Sequence, residues 1–91
     1  MANDDEVHQL QRKYGVSPSL AQILILLIER QRVTVDDIES AGFAGDARVQ
    51  IHRLRKAMAE HEIDIHSSYR TGYWLADEDK DILRQAIKVA A

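Results

Sequence analysis

Four cations crowd into one short segment. Between residues 48 and 60, Arg48, Arg53, Arg55 and Lys56 are opposed only by Glu60, in a chain whose formal net charge is −3. The preceding stretch, residues 17–47, runs the other way, with Arg30 and Arg32 against Glu29, Asp36, Asp37, Glu39 and Asp46. Such local asymmetry bears on partner choice more than the total charge does. Spacing adds a second fact. Ala47, Ile51, Leu54 and Met58 recur at i, i+4, i+7 and i+11, the interval that puts them on one face of a helix. The opposite face then carries Arg48, Val49, His52, Arg53 and Lys56, with Arg55 near the boundary. A row of long cationic donors on an exposed helix suits a major groove. Arg reads guanine bidentately, Lys and Arg neutralise phosphates, and an exposed Val can touch a thymine methyl. A bare basic run is more often a solvated face, so the elements around it decide its meaning.

Other chemistries find little support. The 91 residues contain no cysteine, which removes disulfides and thiolate metal sites. Asp77, Asp79 and Asp81 have the spacing of a calcium loop, but Ile82 stands where that loop needs Gly and Lys88 where it needs Glu. Acids at a helix start account for them better. His8, His61 and His66 have no ligand cluster around them. No nucleophile–base pair or Gly-rich phosphate loop has catalytic spacing. The reading is therefore of a protein that is not an enzyme and takes no metal or cofactor. The longest apolar run, Ile23 to Ile28, is far short of the ~20 residues of a membrane span. The acidic start, Met1 to Glu6, lacks the apolar region of a signal peptide. A cytoplasmic protein without membrane contact is expected.

The positioning elements follow from local signals. Ser17 before the only proline, Pro18, reads as an N-cap with Pro in the first helical position. That helix should reach about Arg30, with Leu20, Ile23, Leu24, Leu27 and Ile28 as its core stripe and Ile25 and Leu26 widening it. A helix so apolar is buried on more than one side. Thr34-Val35-Asp36-Asp37 resembles a capping box opening a short helix that Gly42 ends. Ala44-Gly45 makes a tight connection, and Asp46 can cap a helix from about Ala47 to Glu60. Ile63 to His66 alternates as a half-buried strand, Ser67 to Gly72 reads as a polar turn, and Tyr73-Trp74-Leu75 returns as a second strand. Asp77 opens a last amphipathic helix with Ile82, Leu83, Ala86, Ile87 and Ala90 on one face. Val7, Leu10 and Tyr14 give a weaker helical signal near the start. The fold class is mainly α with a β-hairpin: a winged helix-turn-helix with extra N- and C-terminal helices. Its divisions are an N-terminal helix or flexible arm at 1–16, the central domain at 17–76 and the C-terminal amphipathic helix at 77–91.

The run from Arg48 to Met58, with Leu54-Arg55-Lys56 inside it, is followed by Ile63 and then Thr71-Gly72-Tyr73. Over about residues 18–76 this resembles the DNA-binding effector domain of OmpR/PhoB-type response regulators. The resemblance implies that the helix at 47–60 is the recognition helix and residues 67–72 the wing. It implies a sequence-specific, double-stranded-DNA-binding transcriptional regulator, here stand-alone without a receiver domain. The contact residues would be Arg48, Val49, His52, Arg53, Arg55 and Lys56, with Arg70 of the wing meeting phosphate or a minor-groove edge. The rival reading is a winged-helix protein-interaction module, binding another regulator or the transcription machinery through Trp74 or the terminal helices. A homodimer on two half-sites is also expected, because Ile25 and Leu26 lie outside the core stripe and a second site raises affinity.

Overall fold

The computed structural model describes residues 4–41, 46–68 and 72–88. Among the described residues, five helices and two strands follow one another as α1 (Asp4–Tyr14), α2 (Pro18–Glu29), α3 (Val35–Ser40), α4 (Ala47–Ala59), β1 (Ile65–Ser68), β2 (Gly72–Leu75) and α5 (Asp77–Lys88). The caps are those the sequence dictates. Ser17 Oγ accepts from Leu20 N–H (3.3 Å) with Pro18 opening α2. Thr34 and Asp37 form a reciprocal capping box: Asp37 N–H donates to Thr34 Oγ1 at 3.0 Å and Thr34 N–H to Asp37 Oδ2 at 2.9 Å. Asp46 Oδ1 accepts from Arg48 N–H at 2.8 Å. Four backbone donors at three helix starts are thereby satisfied by short polar side chains.

α2 is the central element. Leu20, Ala21, Ile23, Leu24, Ile25, Leu27 and Ile28 are all buried, and α1, α4, α5 and β2 pack around them. The terminal helices belong to this core. Val7, Leu10 and Tyr14 of α1 and Leu83 of α5 lie in the same buried cluster as Ile51, Leu54 and Met58 of α4. Residues 4–14 are thus a docked helix, not a flexible arm. Of the two residues that pointed to a dimer on α2, Ile25 is 2% exposed within the single chain and Leu26 is half-buried against the core.

α5 departs from its expected face. Leu83 is buried and Ala86 and Ile87 are half-buried, but Ile82 is 49% exposed; Ala90 lies outside the described residues. The stripe is centred on Leu83, and the place one turn earlier is taken by Lys80, which is buried. Its Nζ donates to Arg30 O at 3.1 Å, and Arg84 Nη2 donates to Ile28 O at 3.2 Å. Two cations of α5 therefore satisfy carbonyls at the C-terminal end of α2, where orphan acceptors and the negative end of the helix dipole favour them.

The first strand sits two residues further along than the alternation of Ile63 to His66 implies, and the second begins one residue earlier than Tyr73. β1 and β2 are antiparallel with Ile65 opposite Leu75, His66 opposite Trp74, Ser67 opposite Tyr73 and Ser68 opposite Gly72. Ser67, Ser68 and Gly72 are strand residues, not turn. Ile63 instead completes the cap of α4: Ile63 N–H donates to Met58 O and Glu62 N–H to Ala59 O, with Glu62 in the left-handed region at φ 60°. These are the paired bonds of a Schellman cap, whose following apolar residue packs back on the core; Ile63 is buried. A third short ladder element joins the hairpin. Val33 N–H donates to Tyr73 O and Tyr73 N–H to Val33 O, both at 2.8 Å. The approach is close because residue 72 is glycine at φ 90°; a Cβ there would run into the Val33 carbonyl oxygen.

Candidate nucleic-acid interface

α4 divides as its spacing requires. Ala47, Ile51, Leu54 and Met58 are buried, while Arg48, Val49, His52, Arg53 and Lys56 are exposed. At ~100° per residue these five side chains span an arc of about 140°, with Arg48 at the edge nearest the hairpin and Arg53 at the far edge. Val49, 46% exposed, is the apolar member of this face. A helix of 13 residues is about 20 Å long, and a B-DNA major groove, ~12 Å wide, admits an α-helix. Among the described residues, ion pairs join Arg30 to Asp37 (3.6 Å) and Arg84 to Asp81 (3.5 Å). Neither pair draws on the cations of α4.

Arg55 is placed differently from the rest. It is half-buried, its Nε–H donates to Ile65 O at 3.1 Å, and its guanidinium carbon lies 5.8 Å from the Tyr73 ring centroid. It ties α4 to the hairpin, with donors of its fork left over. Arg70 lies outside the described residues, as do Tyr69 and Thr71 at the tip and residues 42–45 before α4.

Two groupings have no signature in the linear sequence. Arg48 and Arg55 share a cleft with Ser67, Ser68 and Tyr73. On the other face of the small sheet, Trp74 stands between cross-strand neighbours: the Arg32 guanidinium lies 3.8 Å from its ring centroid, and the His66 ring stacks on it at 5.6 Å and 23°. Pairing of Val33 with Tyr73 sets Arg32 opposite Trp74, so the register explains the row. Counting outward from Tyr73 finds it only once the Val33 bridge is known.

Among the described residues, two groups titrate away from their usual ranges, both off the α4 face. Asp37 is lowered, chiefly by the backbone N–H of Thr34 and also by Arg30. Burial raises the phenol of Tyr14, whose ring meets His61 edge-on at 4.6 Å. Among the described residues no group of three or more His, Cys, Asp or Glu could hold a metal ion, and no helix is long and apolar enough to cross a membrane. Comparison with protein-family models, with curated proteins and with solved structures finds no match to this chain.

Proposed function

We propose that the chain is a winged helix-turn-helix domain of the OmpR/PhoB type, a cytoplasmic regulator that binds double-stranded DNA with α4 in the major groove and the hairpin near the backbone or minor groove. The observation that carries this reading is the division of α4 into a buried apolar stripe and an exposed arc of Arg48, Val49, His52, Arg53 and Lys56. Two features support it. The order α2, Val33 bridge, α3, α4, β1, β2 is that of a helix-turn-helix followed by a wing, with Val33 supplying a short third strand. Arg55 fastens the hairpin to α4, which would hold the two reading elements in a fixed relation. By this reading Val49, His52 and Arg53 face base edges, Arg48, Arg55 and Lys56 face phosphates, and Arg70 adds a wing contact.

The experiment is a mobility shift on generic duplex DNA at several salt concentrations. A DNA-binding domain shows weak non-specific affinity that falls steeply with salt. The protein-interaction alternative has less in its favour, because the faces of Trp74 are engaged by Arg32 and His66. A homodimer on two half-sites belongs to the DNA reading on grounds of avidity. Light scattering with and without DNA tests it, and a mass near a single 10.4 kDa chain in both would exclude it.

A further inference from the structure

The concave surface beside α4 has a chemistry of its own. It is a cleft of about 500 Å³ between α4, the start of α3 and the hairpin. Arg48 and Arg55 stand on its α4 side, seven residues and about 10.5 Å apart along the helix axis. Arg55 is anchored there through Ile65 O, and a planar guanidinium held by one donor keeps the remaining donors of its fork for a ligand. Ser67, opposite Tyr73 and on its face of the hairpin, is exposed and brings a hydroxyl that rotates to donate, and Ser68 next to it lines the rim. The Tyr73 ring lines the same space, beside the Arg55 guanidinium. Asp36 is the one carboxylate among the described lining residues.

We infer that this cleft binds a phosphoryl group carried on a sugar. Guanidinium donors reach a tetrahedral anion from two places along the helix, and hydroxyls can complete its coordination. The volume is larger than a bare anion needs, and the Tyr73 ring offers an apolar surface to the attached sugar. Two sources present this group: a phosphodiester of duplex DNA or a soluble nucleotide. With the duplex as source, the inference rests on the DNA-binding reading; with the nucleotide it does not. Asp36 opposes the anion, so its effect has the opposite sign to that of the arginines and serines.

The test reads the backbone amides of Arg48, Ser67 and Ser68 by NMR while three probes are added separately: a short generic duplex, adenosine 5′-monophosphate, and adenosine as the phosphate-free control. The inference predicts saturable shifts at these amides with at least one phosphate-bearing probe and none with adenosine. A response to the duplex alone assigns the site to the DNA backbone; a response to the monophosphate, with displacement of duplex, assigns it to a soluble nucleotide. For the responding probe, Ser67→Ala weakens binding roughly twofold to tenfold, and Asp36→Asn tightens it roughly twofold to fivefold. On the duplex, Arg48→Ala lowers the salt slope by about 1. Amides that respond to neither phosphate probe, or equally to adenosine, overturn the inference, as does Asp36→Asn binding more weakly. A duplex that binds while these amides respond to neither phosphate probe refutes the cleft and leaves the DNA reading standing. A duplex that fails to bind at low salt refutes the DNA reading while the monophosphate still tests the cleft.

Discussion

α2 and α4 are nearly equal in length and both contribute to one core, yet they are built for different surroundings. α2 carries a single charged residue, Glu29 at its end, and buries seven side chains beneath α1, α4, α5 and β2. α4 buries four and turns a cationic arc to solvent. The first composition is that of a helix with neighbours on several sides; the second is that of a helix with a core on one side and a partner, or water, on the other. Burial explains the aliphatic residues of α2, seven of them buried and Leu26 half-buried. It does not explain why the exposed side of α4 carries three cations and a valine, and that unexplained remainder is where function is to be sought.

The largest effects should make the two helices alike. Leu24 of α2 and Leu54 of α4 are both fully buried, and Leu→Ala at either should destabilise the protein by about 2–5 kcal/mol. Thermal or denaturant melts check this, and an unshifted melt for Leu54→Ala would remove α4 from the core. Next comes the junction that sets the hairpin beside α4. Gly72→Ala puts a Cβ against the Val33 carbonyl oxygen at a positive φ, which should cost at least about 1–2 kcal/mol in the same melts.

The surfaces should then separate the helices. Arg53→Ala and Lys56→Ala should leave the melting temperature unchanged and weaken duplex binding, by roughly 1–3 kcal/mol for an arginine that reads a base. Gln22→Ala, on the exposed side of α2, should alter neither. Equal binding by Arg53→Ala, Lys56→Ala and the parent protein would erase the contrast between the helices.

How much of this was legible in the sequence depended on range. Signals contained within a few residues were readable: the Ser17 and Asp46 caps, the Thr34–Asp37 box and the α4 stripe all rest on neighbours three or four positions apart. Features set by distant partners were not. Ile63 reads as a strand residue because alternation cannot distinguish it from the apolar residue of a helix cap. Ile82 leaves its expected face and Lys80 is buried because the orientation of α5 is fixed partly by the carbonyls of Ile28 and Arg30, some fifty residues earlier. The Val33 bridge is one residue long and has no periodicity to detect. The candidate site shows the same split. The arc on α4 follows from spacing, whereas the Arg48–Arg55 cleft needs the register of β1 against β2.

Smaller effects concern how the helix starts are held. Thr34→Ala removes a side chain in a reciprocal capping box with bonds of 2.9 and 3.0 Å and should cost about 1 kcal/mol. Ser17→Ala breaks a single longer bond of 3.3 Å and should cost less. The smallest is a pH effect at Asp37, whose carboxyl is held below its usual range mainly by the Thr34 N–H. A lowered folded pKa means the carboxylate's contribution is complete above an unfolded aspartate's ~3.9 and is lost as pH falls through the folded value. Melts of Asp37→Asn should therefore show a weaker loss of stability over that acid range than the parent protein.

The central claim is that the exposed arc of α4 meets duplex DNA. Fluorescence anisotropy of a labelled generic duplex, titrated with the parent protein and with Arg53→Ala across a series of salt concentrations, tests it most directly. The account predicts that the parent protein binds, that log affinity falls linearly with log salt concentration, and that Arg53→Ala binds more weakly at every salt concentration with an unchanged melting temperature. An absence of binding by the parent protein at the lowest salt, or affinity unaffected by the loss of Arg53, would contradict it.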